Sequence, residues 1–168
     1  MDYGTAAAII EVLRGLSSSW IDRSWFVGLC ALVVYAALAS PYVVAADNAE
    51  FAALGALGGG AHPSGYPLYV LWLRAWSWLP GATAAHTAAL ATAILGGLSI
   101  AVLHAACRAW GARPAAATIS VAIVGAAPIV AQYHTEAEVF ALNGLIGGLV
   151  VWLAAANGPL RGGWRAAV

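Results

Sequence analysis

Apolar positions along this chain gather into four long runs, at about 25–45, 81–106, 115–131 and 140–156, separated by short polar or glycine- and proline-bearing stretches. Each run approaches the ~20 residues that a helix needs to cross ~30 Å of hydrocarbon. Pro80 and Gly81, Pro114, and Gly158 with Pro159 stand at their edges, where helices start and stop. The pattern predicts an all-α, polytopic membrane helix bundle of about four transmembrane helices, a transmembrane domain over 24–157. Ahead of it, residues 1–23 are weakly amphipathic and end in Ser17, Ser18, Ser19, Trp20, Ile21, Asp22 and Arg23. They read as a cytoplasmic segment and not as a cleaved signal. Residues 158–168 form a tail on the same side.

The stretch 46–80 breaks the rhythm. Gly58, Gly59, Gly60, Pro63, Gly65 and Pro67 interrupt any continuous helix. It is expected to lie along the membrane as an outer loop: a short helix from Asn48 to Leu57, a tight turn through His62 to Gly65, then an amphipathic helix through Leu79. Trp72, Trp76 and Trp78 suit an interfacial depth. The competing reading, a true span from Tyr66 to Leu79, is short for a crossing and holds Arg74 inside it.

Composition agrees with the runs. Hydrophobic residues make up 62% of the chain and charged ones 8%, with a mean hydropathy of +0.84, against roughly 25% charged in soluble domains. A lipid bilayer is therefore expected to cover most of the surface. The net charge is zero, so no basic stripe exists to neutralise phosphates and nucleic acid is excluded as a partner. Cys30 and Cys107 fall in apolar runs and read as small core residues, not as a disulfide or a metal site.

Charge then sets direction. Arg14 and Arg23 precede the first run, Arg108 and Arg113 divide the second from the third, and Arg161 and Arg165 follow the fourth. The positive-inside rule puts that side, and both termini, in the cytoplasm of an integral cell-membrane protein. Asp47, Glu50, Glu136 and Glu138 then share the outer (periplasmic or luminal) face.

The candidate chemistry lies in three of these outer stretches. Asp47 and Glu50 share one face if their segment is helical, and the same D-x-x-E spacing also fits an N-cap with its capping-box partner. His62-Pro63-Ser64-Gly65-Tyr66-Pro67 is a rigid turn carrying an imidazole, and a lone histidine can equally serve as an ordinary hydrogen-bonding residue. Glu136 and Glu138 stand where the chain re-enters the membrane, with Asn143 one turn inside, and carboxylates at that depth are costly unless paired or useful.

Asp47 with Glu50, then His62 through Tyr69, then Ala137-Glu138-Val139-Phe140-Ala141-Leu142-Asn143 resemble the N-terminal part of membrane glycosyltransferases of the protein O-mannosyltransferase-like group, which have the fold known as type C. The family pattern reads H-P-P-G-Y-P-L-Y and A-E-V-Y, so Ser64 and Phe140 depart from it while keeping size and shape. The resemblance covers about 40–145. It implies that Asp47 acts as catalytic base or metal-coordinating group, and that Glu50 and Glu138 complete a catalytic set. It further implies that His62 and Tyr66 shape the acceptor and sugar site, and Arg74, the outer cation, and Glu136, at the re-entry, are placed beside them as substrate-binding candidates. A polyprenyl-phosphate sugar is the implied donor. A divalent metal ion is the cofactor expected if the site is catalytic.

Two functions compete on this reading. One is a glycosyltransferase module acting within a larger membrane assembly, since about four spans and one outer cation, Arg74, make a thin phosphate site and too short a chain for a complete enzyme. The other is a non-catalytic structural subunit of a multi-subunit membrane complex, for instance respiratory or photosynthetic, with protein partners in either case. A third reading, haem or chlorin binding through His86 and His104, is weakened by their ~27 Å separation along one helix.

Overall fold

The computed structural model describes residues 19–44 and 47–160. Arg14, Arg161 and Arg165, with most of 1–23 and of the 158–168 tail, lie outside the described residues. Within them the chain is all-α: seven helices and no strand. They are α1 (Ser19–Leu38), α2 (Asn48–Leu57), α3 (Pro67–Ala75), α4 (Ala84–Ala109), α5 (Pro114–Ala126), α6 (Pro128–Thr135) and α7 (Phe140–Leu153).

Prolines set most of these limits. The first run was expected to stay helical over 25–45, but α1 spans Ser19–Leu38. Pro41 explains the early stop, because the residue before a proline is pushed out of the helical region. The third run, expected unbroken over 115–131, divides at Ala127 (φ −59°, ψ 131°), and α5 and α6 meet there at a bend of 71°. Pro128 has no N–H to continue the ladder and would clash with the preceding turn. Only the bounds of α2 agree with expectation at both ends, and α3 stops at Ala75, short of Leu79.

α4 is the axis. At 26 residues it is ~39 Å long, and among the described residues it alone is long and apolar enough to cross a membrane, with α5 and α6 a second crossing if the bent pair is one span. α1 packs on it through backbone approach. A Cβ on Gly28 would lie 2.5 Å from that of Ala101, and one on Gly97 would lie 2.7 Å from that of Leu32 and 2.9 Å from the Gly28 carbonyl. Small residues permit such close backbone contact between helices. Beside it, Tyr35 donates to the Gly125 carbonyl at 3.0 Å and joins Ile100 and Val121 in a buried group.

α2 and α3 fold back over the first half of α4. Phe51, Tyr69 and Leu73 are almost completely buried against Ala88, Ala91 and Leu95, together with Ala137, Val139 and Leu142 from the entry to α7. Each of those large side chains contributes about 1.5–3 kcal/mol when taken out of water. Two polar clasps fix the register: the Tyr69 hydroxyl lies 2.7 Å from Thr92 Oγ1, and the Trp72 indole N–H donates to the Ala91 carbonyl at 2.8 Å. The far faces of α1, α5 and α7 are left bare, exposing Phe26, Val33, Ile119, Ile123 and Val150.

Candidate active site

The apolar cluster joins three stretches that are remote in sequence, and each brings a polar side chain to its edge. α2 begins at Asp47. This residue does not cap the helix: its backbone is helical (φ −81°, ψ 0°) and its carboxylate accepts no capping bond. Glu50 does not close a capping box either. Its Oε1 accepts the His62 amide N–H at 2.7 Å, and its Oε2 lies 2.6 Å from His62 Nδ1. Both Glu50 oxygens therefore serve His62, across the Gly58–Gly60 turn, and the D-x-x-E spacing carries a function other than capping.

His62 stands between two acids. Its Nε2 lies 3.7 Å from Asp47 Oδ2. One donor atom each from Asp47, Glu50 and His62 fall within 4.8 Å of one another, so these three could hold a metal ion. The bond to Glu50 raises the His62 pKa, and the same bond, reinforced by the His62 amide, lowers that of Glu50. The group is reachable from outside: the Asp47 side chain is 49% exposed, His62 38% and Glu50 34%.

Tyr66 holds the turn from the other side. It precedes α3 with φ 41° and ψ 48°, a left-handed conformation that bulky residues rarely adopt. Its ring meets the edges of His62 and Phe51, at centroid distances of 5.4 and 5.7 Å, so tertiary packing supports the strained backbone.

Glu138 approaches from the link between α6 and α7. Only 4% of it is exposed, with its neighbours Ala137 and Val139 in the apolar cluster. Burial raises its pKa to about 7, with the charges of Asp47 and then Glu136 adding to the shift. No hydrogen bond to its carboxylate is found among the described residues. Glu136 is less buried and lies within 3.5 Å of the Gln132 amide.

The structure thus brings Asp47, Glu50, His62 and Tyr66 together, with Glu138 electrostatically coupled to them through Asp47. Arg74 sits apart. Its guanidinium donates to the Gly55 and Ala56 carbonyls at 3.2 and 2.8 Å, satisfying the C-terminal end of α2, while Asp47 stands at the other end, ~15 Å away along the helix. Asn143 is exposed on α7. Of the two histidines weighed for haem, His86 accepts the Ala82 N–H at 3.0 Å, and His104 lies between Ser24 Oγ and Thr118 Oγ1 at 2.8 and 3.2 Å. Sequence reasoning passed over Asn48, which is 1% exposed and accepts the Val44 N–H through Oδ1 at 3.4 Å. A polar residue beside Asp47 at a helix start was the available signal.

No curated protein and no solved structure matches the chain. A family model, the protein O-mannosyl-transferase TMEM260 N-terminal domain, matches residues 47–157. That span opens on Asp47 and takes in the His62 turn and Glu138. The match covers well over half of the 168 residues, and the chain belongs to the protein O-mannosyl-transferase TMEM260 N-terminal domain family.

Proposed function

We propose that this chain is a membrane-embedded glycosyltransferase module that passes a sugar, mannose as the name of its family indicates, from a polyprenyl-phosphate donor to a hydroxyl acceptor. One observation carries the reading: a single apolar cluster assembles three distant stretches so that Asp47 and His62 face each other with Glu138 beside them. In the reaction the acceptor oxygen attacks the anomeric carbon, the bond from that carbon to the phosphate breaks, and the phosphate leaves with the electron pair. The hydroxyl proton goes to a carboxylate. Asp47 suits that role, since its carboxylate is accessible and is not engaged in capping.

The module spans the membrane about four times, with both termini cytoplasmic and 46–80 outside. Its bare apolar faces on α1, α5 and α7 support lipid and partner helices of a larger assembly as its surroundings. The test is transfer of labelled mannose from polyprenyl-phosphate mannose to a serine- or threonine-bearing peptide by membranes containing the chain. Transfer lost in Asp47→Asn supports the reading. Equal transfer by wild type and variant removes Asp47 as the base, and transfer no greater than that of membranes lacking the chain, with its partners present, favours the structural-subunit alternative.

A further inference from the structure

We propose that Tyr35 is a positioning residue: by latching the break between α5 and α6 it fixes the direction in which the chain delivers Glu138 to the Asp47–His62 cluster. In an unbroken helix the Gly125 carbonyl accepts the N–H of the residue four on, Ile129. The 71° bend at Ala127–Pro128 ends that pairing and leaves the carbonyl to be satisfied inside the protein, since an orphaned carbonyl at membrane depth is costly. The Tyr35 hydroxyl takes the place of the lost N–H, donating to the Gly125 carbonyl at 3.0 Å. Tyr35 is only 3% exposed, and two glycines make room for it. A Cβ on Gly125 would lie 2.7 Å from the Tyr35 hydroxyl oxygen, and one on Gly96 would lie 3.0 Å from the Tyr35 ring and 2.9 Å from that of His134.

The same tyrosine holds the far side of the bend. Its ring meets His134 of α6 edge-on at 4.9 Å, and just beyond α1 the Ser40 N–H donates to the Thr135 carbonyl at 2.8 Å. His134 is buried and its Nδ1 has no hydrogen-bond partner among the described residues, so ring packing, not a bond to that nitrogen, seats it. α6 ends at Thr135. Glu138 follows three residues later, with Ala137 and Val139 on either side of it in the apolar cluster that holds Phe51 and Tyr69. α1 thereby grips both arms of the bend, and the angle it sets decides whether Ala137 and Val139 reach that cluster with Glu138 between them. A displacement of about 1 Å at a reacting site lowers the rate by up to about 100-fold. The inference rests on reading the Asp47, His62 and Glu138 cluster as the transfer site, whereas the latch on the bend stands on geometry alone.

The experiment uses the full chain in lipid nanodiscs, with Cys30 and Cys107 replaced by alanine and nitroxide labels on cysteines at Ala116 and Gln132, which are exposed on the two arms. Straightening the bend would lengthen their separation by about 4 Å at a rise of ~1.5 Å per residue. Tyr35→Phe, which keeps the ring and removes the hydroxyl, should broaden the measured electron–electron distance distribution toward longer values. In unlabelled protein, mannose transfer per folded molecule should fall by about 10- to 100-fold. The double variant Tyr35→Phe with Glu138→Gln should transfer no less than Glu138→Gln alone, because the tyrosine acts through that glutamate. If Tyr35→Phe does not fold, Gly125→Ala decides in its place, since the added Cβ displaces the hydroxyl from the carbonyl. An unchanged distance distribution, unchanged transfer, or losses that multiply in the double variant overturns the proposal. If wild type itself transfers nothing, the transferase reading fails, and the distances alone decide whether Tyr35 holds the bend.

Discussion

Glu50 gives both carboxylate oxygens to His62, one to its amide at 2.7 Å and one to Nδ1 at 2.6 Å. This double bond of attachment spans twelve positions of chain and turns a glycine-rich loop into a platform. It sets the imidazole plane, and with it the direction in which Nε2 meets Asp47. Loss of Glu50 should therefore be felt by the loop as well as by the chemistry. In Glu50→Ala and in His62→Ala, proteolytic cleavage at Gly58–Gly60 should quicken by similar factors. The double variant should be no faster than either one, because the two residues act as a unit. Additive rates would show that the pair does not hold the loop.

Asp47→Asn should separate activity from stability. The side chain makes no capping bond, so the thermal transition should stay near that of wild type. Sugar transfer should fall by about 10²- to 10⁴-fold, the usual contribution of a general base. A matching fall in stability would mean that Asp47 acts structurally.

Glu138 predicts a pH dependence of stability. Its folded pKa, about 7, lies above the ordinary 4.5, so the folded chain binds this proton more tightly than the unfolded one. Stability from this group is then greatest below about 4.5, declines as pH rises between the two values, and is fully lost above about 7. The shift corresponds to at most roughly 3 kcal/mol. Thermal unfolding at pH 5 and pH 8 should show the loss in wild type, and Glu138→Gln should flatten it. A variant with the wild-type slope would assign the dependence to another group.

Gly97 and Gly147 make a paired test of packing. A Cβ at Gly97 meets Leu32 and the Gly28 carbonyl below 3 Å, while one at Gly147 meets nothing within 4 Å. Gly97→Val should destabilise the isolated chain by about 1–3 kcal/mol, as overpacking does. Gly147→Val should leave the chain alone unaffected and weaken only its association with a partner helix. Equal effects in the isolated chain would contradict the α1–α4 contact.

Cysteine labelling tests the proposed sidedness. A cysteine at Ser64, on the His62 turn, should react with an impermeant thiol reagent from outside. One at Ala112, between α4 and α5, should react only after the cytoplasmic side is opened. The opposite result would invert the topology.

Much of this protein was readable from local signals. The four apolar runs, the bounds of α2, the turn at His62 and the membership of a glycosyltransferase family all rest on helical periodicity, chain breakers and short ordered motifs. Such features act within a few residues, and they survive without knowledge of the fold. Pro41 and Pro128 carried equally local information on where α1 and α5 stop. The uses of individual polar side chains were not readable in that way. D-x-x-E is compatible with a capping box, and Glu50 serves His62 because α2 and the turn are brought together by Phe51, Tyr66 and Tyr69. Arg74 is a free cation on paper and a cap for α2 in the fold. Asp47 and Glu138 become neighbours in charge through packing on the first half of α4. In each case several partners satisfy the same hydrogen-bonding need, and long-range burial selects among them.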